Sequence, residues 1–278
     1  MTGVFEAGGS KTEFIFGDAT ASSSGQAAGI HPMFMSEEAI SGVLTGLTAN
    51  FPAGSLKQIF FYGASCGSHE LSGKVSTVLA RMFPEAVVQV ESDLLGTARA
   101  LCGNSPGFAS ILGTGANACI FNGKEITRRM VSFGFWLGDE GSGGHLGKKV
   151  FRAWLKGELP AAFSEEAEFL FEAPSAKALQ FLLEADAPNA RMARLGGMAI
   201  RNKQLPVFKA LIQEGLQDFF RENSDLISEA GQLPFHFSGS VAFHLRDEIS
   251  ATLSVMNLKP GRFADRTTER LFQYHLSI

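Results

Sequence analysis

The stretch FEAGGSKT, residues 5–12, lies between two short apolar strands that we predict over residues 2–5 and 13–16. Glycine has no Cβ and tolerates positive φ, so a turn of this kind lets backbone N–H groups approach an anion. The sequence therefore predicts a phosphate-binding β-hairpin. Its candidate phosphate-binding residues are Gly8, Gly9, Ser10, Lys11 and Thr12.

The same stretch superficially resembles a P-loop, but its details exclude one. A P-loop requires G-x-x-x-x-G-K-[ST] followed by a helix whose N-terminus faces the phosphate. Here Ser10 separates Gly9 from Lys11, and residues 13–18 have the pattern of a strand.

A second turn of this type, ILGTGAN, occupies residues 111–117 between predicted strands at 108–112 and 118–121. Its candidate phosphate-binding residues are Gly113, Thr114 and Gly115. Two such hairpins in one chain predict a duplicated domain that holds a phosphate chain between its halves.

Apolar strands alternate with helices after the first hairpin, which is typical of an α/β sheet covered by helices. After the second hairpin the pattern is mostly helical, and one helix is predicted to follow residues 238–242 and to run to about Met256. We expect residues 267–276 to pack back on the first domain.

Composition favours a globular enzyme. The 278 residues are 45% hydrophobic and 19% charged, with a formal charge of −4 and no Lys/Arg cluster. We therefore expect no nucleic-acid partner and no membrane partner. We find no signal-peptide pattern and no membrane-spanning run, so a cytoplasmic location is expected. Cys66, Cys102 and Cys119 are too widely spaced for a disulfide framework or zinc site, which predicts reduced thiols.

Asp93 follows a predicted buried strand and opens a helix. Asp93 or Ser92 could simply cap that helix. Alternatively, because α/β sheets place functional groups at the carboxyl ends of their strands, Asp93 could act as a general base.

Residues 134–144 carry Asp139 and Glu140 among five glycines. Such glycine density predicts a backbone that approaches a ligand. The carboxylates could hold Mg²⁺ through water or bind a polar substrate, or the segment could be a mobile acidic loop.

Residues 239–242, GSVA, lie between a predicted strand and a helix, where a nucleotide could rest on the helix N-terminus. This turn is also common in α/β proteins without such a role.

Taken in order, these segments resemble the sugar kinase/Hsp70/actin (ASKHA) ATPase superfamily, and within it the N-acetylglucosamine kinase group, next to the BadF/BadG/BcrA/BcrD ATPases. Residues 6–12 match the first phosphate motif, 111–117 the second and 238–243 the adenosine motif. Residues 92–100 match the segment of the catalytic aspartate, and 138–142 the family's G-D-E-G-S.

The resemblance implies an α/β fold of two RNase H-like (actin-like ATPase) domains that close on ATP and a sugar in the cleft between them. The N-terminal domain would comprise residues 1–105, joined by a C-terminal helix at 266–278. Residues 106–265 would form the C-terminal domain with a helical insertion. The resemblance further implies transfer of the γ-phosphoryl group of ATP to the sugar 6-hydroxyl, with Mg²⁺, in a homodimer.

The resemblance also implies residue roles. Asp93 would take the proton of the sugar hydroxyl. The first and second hairpins would hold the phosphates, and Gly239, Ser240 and Val241 would meet the adenosine. The substrate-binding residues would be His31, Ser65, Asp93, Thr114, Asn117 and Asp139. Glu6 and Asp139 would hold Mg²⁺ through water.

Two positions depart from the family pattern. Glu6 replaces the usual aspartate and is one methylene longer, which shifts the water shell of the metal. His31 stands where related kinases often have a sugar-binding asparagine. A protonated His31 could meet the lactyl carboxylate of N-acetylmuramic acid, so this sugar competes with N-acetylglucosamine as substrate.

Two other functional classes stay open. A BadF-type activator ATPase would need cysteines at a dimer axis to hold an iron–sulfur cluster. A sugar-sensing regulator or a kinase that has lost activity through Glu6 and His31 is the other alternative.

Overall fold

The computed structural model describes residues 1–9, 11–48 and 54–277. Ser10, a predicted phosphate-binding residue, lies outside the described residues, as does Ile278. The chain divides into two compact units. Unit 1 comprises Met1–Ser105, Phe121–Ile126 and Arg266–Ile278, and unit 2 comprises Pro106–Ile120 and Thr127–Asp265.

Unit 1 is built around a five-stranded sheet in the order β3-β2-β1-β4-β5. Strands β1, β2 and β3 pair antiparallel, whereas β1, β4 and β5 pair parallel. Its elements are β1 (Thr2–Ala7), β2 (Lys11–Gly17), β3 (Ser22–Ala28), α1 (Glu37–Thr48), β4 (Gln58–Gly63), α2 (His69–Met82), β5 (Val87–Ser92), α3 (Asp93–Cys102) and α13 (Thr268–Leu276).

Both faces of this sheet are buried, as the continuous apolar strands predict. One face contributes Phe5 and Phe61 to a core shared with α1 and α2. The other contributes Val4 and Tyr62 to a cluster with Leu271 and other residues of α13. The C-terminal helix therefore packs on the first sheet, as predicted.

Unit 2 contains the second five-stranded sheet, ordered β10-β9-β6-β7-β8. In chain order this is the same arrangement as the first sheet, which is consistent with a duplicated domain. Its elements are β6 (Pro106–Leu112), β7 (Ala116–Asn122), β8 (Ile126–Arg129), α4 (Gly134–Leu137), α5 (Gly143–Leu155), α6 (Ala161–Phe171), α7 (Ser175–Leu183), α8 (Pro188–Arg201), α9 (Pro206–Glu222), α10 (Ser224–Ala230), β9 (Pro234–Ser238), α11 (Ser240–His244), α12 (Arg246–Val255) and β10 (Lys259–Ala264).

The single helix predicted to follow residues 238–242 and run to about Met256 is wrong, because two helices occupy this part of the chain. The chain turns at Leu245, which ends α11 and precedes α12 and is itself buried in the core of unit 2. The helix that begins at Ser240 is therefore only five residues long.

All three cysteines are buried. Among the described residues, no helix combines the length and the apolar character that crossing a membrane requires.

Candidate functional site

Strand register brings the predicted site residues of unit 1 to one edge of its sheet. Ala7 of β1 pairs with Gly63 of β4, and Gly63 pairs with Ser92 of β5. The three strands are parallel, so their carboxyl ends lie side by side. The first hairpin, the turn after Gly63 and Asp93 all follow directly from these ends.

The first hairpin is closed by the Gly8 N–H, which donates to the Lys11 carbonyl at 2.9 Å. The Thr12 hydroxyl is buried and has no hydrogen-bond partner among the described residues. A Cβ on Gly29 would lie 2.4 Å from the Gly9 carbonyl oxygen, so the backbone that follows β3 packs directly against the turn. Only glycine permits this approach.

His31 lies beside the same turn. Its Cδ2 atom is 3.6 Å from the position of a Cβ on Gly9, and its Nε2 is 3.5 Å from the Ser65 hydroxyl. Ser65 adopts a left-handed φ of 64°, a strained conformation for a residue with a side chain. His31 and Ser65, two of the three predicted sugar-binding residues of unit 1, therefore lie close to the predicted phosphate hairpin.

The environment of His31 bears on the expectation that its protonated ring meets a carboxylate. Burial lowers the pKa of His31 below its ordinary value because it desolvates the imidazolium. The ring is therefore neutral at pH 7 and can offer a hydrogen-bond donor and an acceptor, but no charge.

Asp93 is the first residue of α3, whereas Ser92 is its N-cap and accepts from the Leu95 N–H at 3.2 Å. The capping role thus falls to Ser92. The Asp93 carboxylate accepts from the Leu94 N–H at 2.8 Å, and desolvation raises its pKa. A carboxylate of raised pKa at the end of a parallel strand has the properties of a general base.

Glu6 and Glu13 are directly paired across β1 and β2 and lie on the same face of the sheet. Like charges in this arrangement repel each other. The Lys11 ammonium lies 2.8 Å from Glu13 Oε1, and Arg266 Nε lies 3.3 Å from the same oxygen. Two cations therefore balance the charge of Glu13.

Glu6 has no such cation but two hydroxyl donors. The Thr267 hydroxyl donates to Oε1 at 2.5 Å, and the Thr268 hydroxyl lies 2.9 Å from Oε2. Desolvation raises the pKa of Glu6, the two threonine hydrogen bonds oppose that rise, and the nearby Glu13 and Asp93 add to it.

In unit 2, the second hairpin is surrounded by two other predicted segments. The Gly143 and Gly144 N–H groups, at the start of α5, donate to the carbonyls of Gly113 and Thr114 at 2.8 and 3.0 Å. A Cβ on Gly239 would lie 2.6 Å from the Leu112 carbonyl oxygen. The second hairpin is thus in contact with the start of α5, which directly follows the G-D-E-G-S segment, and with Gly239 of the adenosine motif.

Asp139 is buried against the same hairpin. Its Oδ1 accepts from the Ala116 N–H at 3.3 Å, and its Oδ2 would lie 3.0 Å from a Cβ on Gly115. Asp139 has a left-handed φ of 61°. Burial raises the pKa of its carboxyl, and both the Ala116 N–H and Lys148 oppose that rise.

Lys148 holds the segment that carries Asp139. Its ammonium donates to the Phe135 carbonyl at 2.7 Å and lies 3.4 Å from the Gly138 carbonyl oxygen. Loss of either contact would free the backbone on the N-terminal side of Asp139.

The remaining predicted residues of unit 2 occupy β7 and the start of α11. Asn117 uses its side-chain oxygen to accept from the Ala118 N–H at 3.0 Å. Ser240 is exposed at the first position of α11, whereas Val241 is buried.

Sequence reasoning missed four residues that contact the predicted site residues or their segments: Glu13, Lys148, Thr267 and Thr268. Glu13 is next to a hairpin residue and could have been found from strand alternation, which places it on the same face as Lys11. No local signal marks the threonines, because they contact a residue more than 250 positions away.

The residues present fit Mg²⁺ and a nucleotide phosphate chain. The first hairpin offers an unpartnered Thr12 hydroxyl. A Cβ on Gly8, Gly9 or Gly113 would meet nothing closer than 3.6 Å, so the space beside both turns is open to an anion. The described residues contain no group of three or more metal-ligating side chains. Mg²⁺ commonly uses one or two carboxylates together with phosphates and waters, and Glu6 or Asp139 can supply such a carboxylate.

Comparison with known proteins gives one close likeness. The chain matches no protein-family model and no curated protein. A solved structure from Porphyromonas gingivalis, assigned as an N-acetylglucosamine kinase, is 31% identical, with a TM-score of 0.90 over 100% of this chain and 99% of that one.

Two more distant structures share the fold. A protein from Chromobacterium violaceum, also assigned as an N-acetylglucosamine kinase, is 16% identical, with a TM-score of 0.72 over 98% of each chain. A ROK family glucokinase from Streptomyces griseus, solved with glucose and AMPPNP, is 15% identical, with a TM-score of 0.61 over 99% of this chain and 98% of that one. The two units of this chain, each built on one five-stranded sheet, are therefore RNase H-like domains of the actin-like ATPase fold, as predicted.

Proposed function

The chain belongs to the N-acetylglucosamine kinase group of the ASKHA superfamily, and from this premise we propose that it is an ATP-dependent kinase acting on the 6-hydroxyl of an N-acetylated amino sugar. The observation that carries the proposal is the position of Asp93. Its carboxylate follows β5 at the same sheet edge as the first hairpin, beside the turn that holds Ser65.

Asp93 acts as the general base in this proposal. As the sugar oxygen forms its bond to the γ-phosphorus, its proton passes to the Asp93 carboxylate, and the bond to ADP breaks. A carboxylate is a weak base at its ordinary pKa, so the raised pKa of Asp93 brings it closer to the operating pH.

The two hairpins hold the phosphates. Phosphoryl transfer depends mainly on positioning and charge neutralisation, which backbone donors, Lys11 and the Thr12 and Thr114 hydroxyls can supply. Mg²⁺, when bound, would neutralise charge on the phosphates. Glu6 in unit 1 and Asp139 in unit 2 are the candidate carboxylates for it, and Gly239, Ser240 and Val241 would face the adenosine.

The sugar is N-acetylglucosamine or N-acetylmuramic acid. His31, Ser65, Asn117 and Asp139 offer neutral donors and acceptors as well as one carboxylate. The neutral state of His31 suits an uncharged hydroxyl or amide at least as well as a lactyl carboxylate, and favours neither sugar. A homodimer, which the family resemblance implies, is part of the same proposal.

ATP-dependent ADP release tests this function directly. The panel comprises N-acetylglucosamine, N-acetylmuramic acid, glucosamine, N-acetylmannosamine and glucose. We expect turnover with an N-acetylated sugar and a product phosphorylated at the 6-position, identified by NMR. Nucleotide binding without turnover on any of these sugars would overturn the kinase proposal in favour of a regulator.

The cysteines give no support to an activator ATPase. Cys66, Cys102 and Cys119 are all buried, and burial raises the pKa of the Cys66 thiol to about 12. Ligation of a cluster needs accessible thiolates. Function as an activator ATPase would therefore require the structure around each of these three cysteines to rearrange.

A further inference from the structure

We propose that Thr267 and Thr268, where the chain enters α13, are positioning residues that orient the Glu6 carboxylate toward the divalent cation and phosphates at the first hairpin. This inference rests on the proposed function. It assigns to the C-terminal helix a part in nucleotide binding, although its residues are more than 250 positions from the hairpin in sequence.

Both oxygens of Glu6 are held by these hydroxyls. Thr267 Oγ1 lies 2.5 Å from Oε1 and Thr268 Oγ1 lies 2.9 Å from Oε2. The two threonines are almost completely buried, at 1% and 3% exposure. A carboxylate bonded at both oxygens cannot rotate freely, so its orientation is set before any ligand arrives.

The Thr267 hydroxyl does not cap its own helix. Thr267 occupies the N-cap position of α13, where a threonine hydroxyl usually accepts from an N–H of the first turn and stabilises the helix. No such capping bond forms, and the hydroxyl donates to Glu6 instead. The hydrogen bond to Glu6 therefore replaces a stabilising local interaction.

Attachment of α13 to unit 1 does not need these hydroxyls. Leu271 and Phe272 are buried at 0% and 1% exposure in the cluster beneath the helix. His275 Nε2 lies 2.7 Å from the Tyr62 hydroxyl, and its ring stacks on Phe60 with centroids 3.5 Å apart. The threonine contacts thus act on the Glu6 carboxylate, while the rest of the helix is anchored independently.

The neighbouring charges explain why Glu6 needs such support. Glu13 faces it across the hairpin, and the two cations nearby, Lys11 and Arg266, both contact Glu13. Two neutral donors orient Glu6 without pairing it with a cation, so a divalent cation would meet no competing ammonium or guanidinium at this carboxyl group.

The test uses Thr267→Val and Thr268→Val, which remove each hydroxyl with little change in shape, alongside Thr267→Ser and Thr268→Ser, which keep it. The matched control is Thr77→Val, since the Thr77 hydroxyl bonds only its own helix at Gly73 O, 2.9 Å away. Calorimetric titration with AMPPNP, with and without Mg²⁺, gives the metal-dependent gain in affinity for each protein. Thermal unfolding confirms that each variant is folded. If a valine variant is not folded, alanine at the same position, Thr267→Ala or Thr268→Ala, replaces it.

We expect the valine variants to lose about 10- to 100-fold of the Mg²⁺-dependent gain in AMPPNP affinity, the usual size of an outer-shell effect. Their affinity for AMPPNP without metal and their sugar KM should stay unchanged while kcat falls. The serine variants and Thr77→Val should match the wild type.

An unchanged metal-dependent gain in folded valine variants would overturn the inference. So would an equal loss in the serine variants, since that would indicate a packing effect. Failure of the proposed function gives a different result. If the wild type binds MgAMPPNP, the valine variants lose that affinity and no sugar is phosphorylated, the kinase proposal is refuted and the positioning role is supported. A wild type that binds no nucleotide refutes both.

Discussion

Glu6 and Glu13 face each other across β1 and β2, and the Thr268 hydroxyl lies 2.9 Å from one carboxylate and 3.1 Å from the other. A single hydroxyl has one proton and can donate to only one of them at a time. Because Glu13 already contacts Lys11 and Arg266, donation to Glu6 is the better use of that proton. Next to the predicted phosphate-binding turn, Glu6 is therefore held by neutral hydroxyl donors, whereas Glu13 is held by two cations.

Replacement of Asp93 by asparagine should lower kcat by about 10²- to 10⁴-fold, the usual contribution of a general base, and leave AMPPNP affinity unchanged. Steady-state ADP release and calorimetry measure the two effects. Asp247→Asn is the matched control, because its carboxylate is 79% exposed on α12. If Asp93→Asn keeps full kcat, Asp93 is not the base.

Gly29→Ala should weaken nucleotide binding, because its Cβ would lie 2.4 Å from the Gly9 carbonyl oxygen and displace the hairpin. Gly73→Ala, in the middle of α2, meets nothing within 4 Å. This control should raise the free energy of unfolding by up to about 1 kcal/mol, the difference in helix propensity. AMPPNP titration and chemical denaturation test both variants. Equal AMPPNP affinity in the two would show that the close contact at Gly29 does not shape the hairpin.

Selectivity for N-acetylmuramic acid over N-acetylglucosamine should not vary between pH 7 and 8. The reason is that burial holds the pKa of His31 below 6.5, so the ring is neutral throughout that range. As the pH falls below 6.5, any preference that depends on imidazolium should increase. The ratio of kcat/KM for the two sugars, measured from pH 5.5 to 8 with His31→Asn as control, tests this. A wild-type ratio that falls between pH 7 and 8, with no change in His31→Asn, would show that a bound carboxylate keeps His31 charged.

Acid should destabilise the fold through its buried histidines. Burial lowers the pKa of His145, His236 and His275 to about 4 from an ordinary 6.5. Stability that is fully present above pH 6.5 is therefore lost as the pH falls toward 4, because the unfolded chain binds protons that the folded chain does not. Each histidine contributes a slope of about 1.4 kcal/mol per pH unit within this window.

The measurement is the difference between the wild type and His275→Gln in the free energy of unfolding by denaturant at pH 7 and pH 5. Carboxyls of raised pKa, such as Asp93, act in the opposite direction, and the difference between the two proteins cancels them. We expect a smaller loss of stability in His275→Gln. His69→Gln, which removes an exposed imidazole, is the control, and an equal slope in both variants would contradict the assignment to His275.

Much of the fold could be predicted because its signals are local. Two apolar strands around a glycine turn form a hairpin from residues close in sequence, and the first and second hairpins were located on that basis. Polar edge strands carry a weaker signal. β3 is Ser-Ser-Ser-Gly-Gln-Ala-Ala, and nothing in that composition separates it from a loop until β2 supplies its hydrogen bonds.

Sequence alone determined the two glycine-containing hairpins, the acidic residues at strand ends and the family to which the chain belongs, because each depends on residue type and short spacing. Tertiary structure decided which side chains act on one another. The register of β1, β4 and β5 set Asp93 beside the first hairpin, and the return of α13 brought Thr267 and Thr268 to Glu6. Desolvation, which neutralises His31 and raises the pKa of Asp93, likewise depends on neighbours distant in the chain, so no local pattern could reveal it.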